Sequence, residues 1–297
     1  MSGAYIDSAI AAIRGSRKQV SSLSSAQMKL LRTQSGTLRI LDTGSEKQPI
    51  VLVPDGPCVL EHYADLISLL SQDFRVVCFD LPGFGFSYPS FGFDFSVTQT
   101  ADTIVEVMDL MAIPMAALAF TCANGFFALS VAKRYPERVS HLILGQTPSF
   151  ESMRQWNEQI IPKILHVPYI GQALMVGTAR GASASWYNRA LPKHSKHRFP
   201  FTQQADKALK AGGCFCLASF VQGLSKTQDA EVSGVSTPTL LIYGDRDRSH
   251  RHTNFSSLGD HVQLLDITSF KGCGHFPDLE RPQEYAKRIK QFINVTG

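Results

Sequence analysis

The chain alternates short apolar runs rich in β-branched and aromatic residues with longer segments in which apolar residues recur every three or four positions. The first kind of run predicts buried strands, and the second predicts helices with one apolar face. The predicted strands span residues 36–42, 49–53, 74–79, 115–121, 139–144, 239–243 and 262–267. Helical spacing is clearest over residues 97–111 and 126–135. Strands that alternate with helices in this way predict an α/β fold, with a mostly parallel sheet covered by helices on both faces.

Two intervals depart from this alternation. Residues 5–33 have helical character, so the pattern predicts an N-terminal helical extension over residues 1–33. Residues 148–236 contain amphipathic pieces and scattered aromatic residues but no strand–helix–strand unit, which predicts a mostly helical insertion. The core then comprises residues 34–147 and 237–297. Because ligands of parallel sheets bind at the carboxyl ends of the strands, we expect this insertion to form a lid over the site.

The charge balance bears on possible partners. The chain has 29 Lys and Arg against 25 Asp and Glu, a net charge of +4. No stretch is basic enough to follow a phosphate backbone, so we do not expect nucleic acid binding. A locally basic segment, RALPKHSKHR, covers residues 189–198. It is either a solvated loop or a feature that steers an anionic substrate, and both interpretations remain open.

The composition favours one folded domain that carries an insertion. The chain has 297 residues, of which 44% are hydrophobic and 18% charged, and this balance is too apolar for a disordered protein. No apolar run approaches the roughly 20 residues that span a bilayer. The N-terminal segment carries an Asp within its short apolar stretch and has no convincing cleavage signal. We therefore expect a soluble cytoplasmic protein that does not bind membranes.

The cysteines form no recognisable framework. They are Cys58, Cys78, Cys122, Cys214, Cys216 and Cys273. These positions include no CxxC pair and are too sparse for a disulfide-rich fold of this length. We expect the thiols to be reduced, and we expect neither a metal nor a cofactor.

One cysteine stands where a predicted strand turns directly into a predicted helix. Cys122 follows the run 115–121 and precedes the helical run 126–135. A sharp turn of this kind holds its tip residue in a strained backbone conformation and projects the side chain from the top of the sheet. The positive field at the start of a helix also favours the thiolate, which is the reactive form of cysteine. Cys122 is therefore the candidate nucleophile.

Several motifs of the chain resemble those of the α/β-hydrolase superfamily. Residues 51–56, VLVPDG, resemble its strand followed by a His-Gly loop, and residues 74–87, FRVVCFDLPGFGFS, resemble its D-x-P-G-x-G-x-S segment. Pro136 lies fourteen residues after Cys122, which matches the superfamily's usual spacing from the nucleophile to the proline before the next strand. The resemblance implies that Cys122, rather than Ala123, occupies the nucleophile position.

Two later segments resemble those that carry the acid and the base. Residues 238–247, PTLLIYGDRD, resemble the strand that ends in G-x-x-D, which implies that Asp247 is the acid. Asp245 is a close competitor that could instead cap a turn. The sequence GHFP at residues 274–277 resembles the segment that carries the base, which implies His275. In such a triad the imidazole takes the proton of the nucleophile, while the carboxylate fixes its tautomer and orientation.

The implied oxyanion hole is where the chain departs from the superfamily. One donor is the amide of Ala123. The second donor should be the residue after the His-Gly pair, but that residue is Pro57, which has no N–H. The Cys58 amide or a side chain would have to replace it. Asp55 stands in place of the usual histidine, and a charged carboxylate there would oppose an oxyanion.

The predicted activity is hydrolysis or transfer of an apolar acyl group from an ester, thioester or lactone, through an acyl-thioester on Cys122. The expected partner is a small-molecule acyl donor, with CoA- and carrier-protein-linked groups included. The residues predicted to contact substrate are Pro57, Trp156, Trp186 and Phe276. Two alternatives remain open. One is a lyase, isomerase or cyclase that uses His275 as a base without covalent catalysis, and the other is a catalytically silent protein that binds a ligand or partner on the same fold.

Overall fold

A computed structural model describes residues 3–14 and 27–296. The helices are α1 (Ala4–Arg14), α2 (Ala64–Leu70), α3 (Val97–Leu110), α4 (Gly125–Arg134), α5 (Phe150–Ile160), α6 (Ile170–Ala190), α7 (Arg198–Lys210), α8 (Leu217–Leu224), α9 (Pro277–Glu280) and α10 (Pro282–Thr296). The strands are β1 (Met28–Thr33), β2 (Gly36–Asp42), β3 (Pro49–Val53), β4 (Arg75–Phe79), β5 (Phe84–Gly85), β6 (Tyr88–Pro89), β7 (Ala116–Thr121), β8 (Val139–Gly145), β9 (Cys214–Phe215), β10 (Thr239–Gly244) and β11 (Leu265–Phe270).

The main sheet has the strand order β1-β2-β4-β3-β7-β8-β10-β11, with β6 paired to β2. The strands from β4 to β11 in this order are parallel to one another, whereas β1 and β2 run antiparallel to their neighbours. All six residues of β7 and four of the five residues of β3 are buried, because helices cover both faces. This burial explains their continuous apolar sequences and confirms the predicted α/β fold. The carboxyl ends of β3, β7, β8 and β10 meet at one edge of the sheet.

The N-terminal prediction is only partly correct. Residues 4–14 are helical, as expected, and residues 15–26 lie outside the described part of the chain. Residues 28–33 are not helical, because they form β1, which pairs with β2 from Met28 opposite Leu41 to Thr33 opposite Gly36. Only two residues separate the strands. The hydrogen bonds gained by pairing with an adjacent strand outweigh the weak local helical tendency of this segment.

The last predicted strand is displaced along the chain. The structure places β11 at Leu265–Phe270 rather than at 262–267, while Val262 forms an isolated parallel bridge with Val235. The apolar residues from Val262 onward led to the earlier predicted start, although Val262 itself lies before the strand. The actual bounds follow from the register with β10, in which Thr239 faces Leu265.

The segment between β8 and β10 is largely helical. Helices α5 to α8 lie within it, α6 packs against α7 and α8, and the short strand β9 pairs with β5. Residues of α5, α6 and α8 line the cavity described below. Among the described residues, no helix has the length and apolar character needed to cross a bilayer.

A buried ionic cluster holds the loop that follows β4. Arg39 Nη2 lies 2.7 Å from Asp80 Oδ2, and Arg39 Nη1 lies 2.6 Å from Glu61 Oε1. Asp80 Oδ2 also accepts the amide hydrogen of Phe86. Because each buried charge is paired and hydrogen-bonded, the cluster can hold the loop rigidly. Phe84 on this loop is thereby fixed at the wall of the cavity.

Gly244, the last residue of β10, lies against the loop that carries His275. A Cβ at this position would lie 2.0 Å from the carbonyl oxygen of Gly274. Because a backbone oxygen cannot rotate away, we expect Gly244→Ala to lower the free energy of unfolding by about 1–3 kcal/mol in urea denaturation. Gly177→Ala is the matched control. It lies within α6 with nothing within 4 Å of the added Cβ, and should stabilise by about 0.5–1 kcal/mol. Equal destabilisation by the two changes would contradict this account.

Candidate active site

Cys122 lies at the sharp turn between β7 and α4. Its φ is 58°, in the left-handed region that residues with a Cβ seldom adopt. A single 3₁₀ turn, Cys122–Asn124, separates the strand from the helix that begins at Gly125. A Cβ at Gly125 would lie 2.4 Å from Thr147 Oγ1, so the close crossing of strand and helix requires glycine at this position. Thr147 Oγ1 also donates to the Cys122 carbonyl oxygen at 2.9 Å, which holds the strained turn in place.

His275 and Asp247 form a buried pair beside this turn. His275 Nδ1 lies 2.6 Å from Asp247 Oδ2, which also accepts a hydrogen bond from Gln146 Nε2 at 2.7 Å. The other carboxylate oxygen accepts from the Ser249 amide and hydroxyl. Burial alone would raise the pKa of Asp247, but His275 and these hydrogen bonds lower it to about 2. Asp247 is therefore ionised and holds the imidazole by its Nδ1–H.

The structure places Cys122 close to the same ring. Its thiol is buried, and its sulfur lies within 4.8 Å of a ring nitrogen of His275 and of one of His250. Burial raises the pKa of this thiol, the charge of Asp55 raises it further, and His275 acts in the opposite direction. The resting thiol is therefore protonated and needs a base to become a nucleophile. Cys122, His275 and Asp247 thus lie in one cluster, as the motifs predicted.

Asp55 is the fourth ionisable group of this cluster. Its Oδ2 lies 3.1 Å from His275 Nε2, so that the ring lies between two buried carboxylates. Burial raises the pKa of Asp55, although His275 opposes this effect. Burial alone would lower the pKa of His275, but the charge of Asp247 and the hydrogen bonds to the two carboxylates raise it well above its usual value. The sequence placed Asp55 near the oxyanion hole, and the structure adds its direct contact with His275.

The two predicted oxyanion-hole donors differ in their surroundings. Ala123 lines the cavity beside Cys122, and its backbone amide acts to lower the pKa of the thiol. The Cys58 amide is engaged elsewhere, because it donates to the carbonyl oxygen of Asp55 at 2.7 Å, within a turn of its own loop. That local bond could not be read from residue type. The prediction of Cys58 as an oxyanion donor is therefore incorrect for this structure, while that of Ala123 stays a prediction with suitable geometry.

A largely apolar cavity of about 190 Å³ opens above Cys122. Its apolar lining includes Leu81, Phe84, Met153, Trp156, Ile160, Ile161, Leu165, Trp186, Phe215, Leu217, Phe220, Val221 and Leu224. The two tryptophans predicted to contact substrate therefore line the cavity. Pro57 and Phe276 are not among the residues that line it, and the Phe276 ring packs at right angles to the His275 ring with 4.9 Å between centroids. The cavity therefore gives no support to their predicted contact with substrate.

His250 is a member of the site that the motifs did not identify. Its ring stacks on Trp156 at 4.4 Å and on His275 at 5.3 Å, and its Nε2 has no hydrogen-bond partner among the described residues. Cys122, His250 and His275 are the donors here that could hold a metal. However, the two imidazole planes are within 21° of each other, so their in-plane lone pairs do not converge on one point. His250 therefore packs behind Trp156 and His275 as a structural neighbour of the site. Its position three residues after Asp247 was the only signal in the sequence.

The acid sensitivity of the fold should depend on His250. Burial lowers its pKa to about 3, so between that pH and about 6.5 the unfolded chain binds a proton that the folded chain does not. The native state therefore loses stability as the pH falls through this window. We expect His250→Phe to lose less free energy of unfolding than the wild type between about pH 7 and 4.5, as measured in urea. His252→Phe, at an exposed position, is the control. An identical loss in all three proteins would contradict this assignment.

The chain is similar to curated enzymes over most of its length. It is 25% identical over 236 residues to the pimeloyl-[acyl-carrier protein] methyl ester esterase of Nitrosospira multiformis, covering 75% of this chain and 86% of that enzyme. It is 22% identical over 270 residues to the cis-3-alkyl-4-alkyloxetan-2-one decarboxylase of Shewanella oneidensis, covering 84% of this chain and 83% of that enzyme.

The fold and the family model agree with these similarities. The crystal structure of epoxide hydrolase A from Mycobacterium thermoresistibile superposes with a TM-score of 0.73 at 14% identity, covering 90% of this chain and 98% of that one. Residues 50–288 match the model of the alpha/beta hydrolase family. This match spans the strand before Asp55, the Cys122 turn, and the loops of Asp247 and His275. The chain therefore belongs to the alpha/beta hydrolase family.

Proposed function

We propose that the protein is a hydrolase or acyltransferase that cleaves an ester or thioester of an apolar acyl group, with Cys122 as the nucleophile. The observation that carries this proposal is the position of the Cys122 thiol. It lies at a left-handed turn and lines an apolar cavity, within 4.8 Å of a nitrogen of the His275 ring, whose Nδ1 is held by Asp247. A nucleophile, a base and a group that orients the base in this order are the requirements for covalent acyl transfer.

The reaction would proceed in two steps. His275 would remove the thiol proton, and the thiolate would attack the acyl carbon to form an oxyanion near the Ala123 amide. Collapse of that intermediate would expel the alcohol or thiol, protonated by His275, and leave the acyl group on Cys122. Water or another acceptor, deprotonated in turn by His275, would release the acyl group. Asp247 would stabilise the imidazolium in both steps.

The cavity supports an apolar acyl group as the substrate portion. Its lining is mostly aliphatic and aromatic, with Asp55 beside the thiol, Arg189 as the basic residue, and Asn124, Asn157 and Ser185 as the other polar residues. Thioesters would suit a cysteine nucleophile because thiol–thioester exchange is nearly balanced in energy, whereas attack on an ester must expel a more basic alkoxide. A CoA- or carrier-linked donor fits this preference, and one relative is named for an ester on an acyl-carrier protein.

Intact-protein mass spectrometry with a panel of activated esters and thioesters tests the proposal. We expect the wild type to gain one acyl mass, and we expect no gain for Cys122→Ala or His275→Ala. Cys214→Ala is the matched control, because this buried thiol lies outside the cluster and its loss should leave the adduct unchanged. Acylation of a thiol other than Cys122 would contradict the proposal. Tight ligand binding with neither adduct nor turnover would favour a silent binding protein.

A second candidate is a lyase, isomerase or cyclase that uses the histidine alone. The contact of Asp55 with His275 Nε2 favours it, because a carboxylate there stabilises a protonated ring without help from sulfur. One relative is named as a decarboxylase. Turnover that survives Cys122→Ala but is lost in His275→Ala would support this candidate over the first.

A further inference from the structure

The loop after β3 lacks a free amide at the place where the second oxyanion donor is needed. Pro57, the residue after Gly56, has no amide hydrogen, and the Cys58 amide is bonded to the Asp55 carbonyl oxygen at 2.7 Å. The loop therefore presents a side chain, rather than a backbone N–H, to the space beside Cys122. Loss of one such donor usually slows acyl transfer by about 100- to 1000-fold, so the missing amide needs a substitute.

The Asp55 side chain occupies this place. It lines the cavity together with Cys122 and Ala123, and its Oδ2 lies 3.1 Å from Nε2 of His275, the ring that lies within 4.8 Å of the Cys122 sulfur. The carboxyl group is thus adjacent both to the atom that attacks and to the ring that moves the proton. A carboxylic acid, unlike a carboxylate, can donate a hydrogen bond.

We infer that Asp55 is a catalytic residue that takes up a proton as Cys122 is deprotonated and then, as a neutral acid, donates the second hydrogen bond to the oxyanion. This inference rests on the proposed acyl transfer at Cys122. The Asp55 side chain would then replace the loop amide of the implied oxyanion hole. As a neutral acid it would stabilise the oxyanion, whereas a charged carboxylate would repel it.

The proton transfers balance without an outside donor. At rest the thiol is protonated, and the His275 imidazolium donates to the Asp55 carboxylate and to Asp247. His275 passes its Nε2 proton to Asp55, and the freed Nε2 takes the thiol proton as sulfur attacks the acyl carbon. The tetrahedral intermediate then holds an oxyanion, an imidazolium and a neutral Asp55. When it collapses, His275 protonates the leaving group, and Asp55 returns its proton to Nε2.

The balance of charges in the cavity favours the neutral, protonated form of Asp55 during the attack of the sulfur. With Asp55 ionised, the cavity would hold the oxyanion and two carboxylates against a single imidazolium. Buried, uncompensated charges of one sign are strongly unfavourable in an apolar site. Moving one proton to Asp55 leaves the oxyanion and Asp247 against that imidazolium. Burial also raises the pKa of Asp55, which acts in the same direction.

Two reactions of the same sulfur distinguish this role from a structural one. Acylation, followed by the burst of nitrophenolate from an apolar 4-nitrophenyl ester, forms an oxyanion, whereas alkylation by iodoacetamide does not. We expect Asp55→Ala to slow acylation by about 100- to 1000-fold. Alkylation should be as fast as in the wild type or faster, because the charge of Asp55 raises the pKa of the thiol. Asp55→Asn, whose amide can donate, should acylate within about tenfold of the wild type.

Several outcomes would overturn the inference. Acylation of Asp55→Ala at the wild-type rate or faster would mean that the carboxylate only opposes the oxyanion. Acylation of Asp55→Asn as slow as that of Asp55→Ala would exclude the donor role. Equal losses in acylation and alkylation would indicate a general disturbance of the thiol. A wild type that is alkylated at Cys122 but never acylated would instead refute the proposed function itself.

Discussion

Replacement of Cys122 by alanine is expected to reduce ester or thioester turnover by about 10⁴- to 10⁶-fold, since loss of a covalent nucleophile removes the whole two-step route. The residual rate would come from substrate binding and from the oxyanion donors, which this substitution leaves in place. The Asp55 carboxylate also contacts His275, at 3.1 Å from Nε2, so acylation of the Cys122→Ala protein should be checked by intact mass. Steady-state kcat/KM with the ester that gives the largest adduct is the measurement.

Two further variants serve as comparisons for Cys122→Ala. Cys122→Ser replaces the thiol by a hydroxyl beside His275 and should retain part of the rate with esters. Cys214→Ala removes a different buried thiol and should match the wild type. A Cys122→Ala enzyme that keeps turnover within about tenfold of the wild type would overturn covalent catalysis and favour His275 as the base of a non-covalent reaction.

The second large effect is expected for Asp247→Asn, with a loss of about 10⁴-fold in kcat. An asparagine at this position would direct either an N–H toward His275 Nδ1–H or an oxygen that lacks the negative charge, so the ring would be held in the wrong tautomer or its charged form left unsupported. The carboxylate lies 2.6 Å from Nδ1 and is fully ionised, with its pKa lowered to about 2 by His275 and the groups around it. The free energy of unfolding should be measured in parallel, because the position is buried.

Asp245→Asn provides the matched control for this prediction. Asp245 lies two residues earlier in the same loop, but its side chain is exposed and accepts the Gly272 amide hydrogen at 2.6 Å. Its replacement should leave kcat within a few-fold of the wild type. A larger loss for Asp245→Asn than for Asp247→Asn would mean that the acid has been assigned to the wrong residue.

The motifs predicted much of the site because they encode local geometry. A strand that turns at once into a helix places Cys122 at the sheet edge, and the G-x-x-D and G-H-F segments place Asp247 and His275 after the neighbouring strands. These are properties of short stretches, so residue type and spacing carry them. The same reasoning chose Asp247 over Asp245, and the structure gives Asp247 the contact with His275.

Local patterns could not predict contacts between distant segments or the use of single backbone groups. Whether the Cys58 amide is free depends on the turn made by its own loop, and whether Pro57 and Phe276 line the cavity depends on how the loops after β3 and β11 are placed. The strand at residues 28–33 likewise exists because a pairing partner lies beside it. None of these features alters the spacing of apolar residues along the chain, so a pattern of hydrophobic positions could not predict them.

The sequence by itself determined the α/β architecture and the positions of Cys122, Asp247 and His275, because continuous apolar strands, helical spacing and turn residues act over a few positions. Tertiary structure alone decided the contact of Asp55 with a ring 220 residues away and the stacking of His250 on Trp156. These contacts depend on the relative placement of loops at the strand ends. Side chains there meet only after the sheet has formed, and burial then sets which of them carry protons.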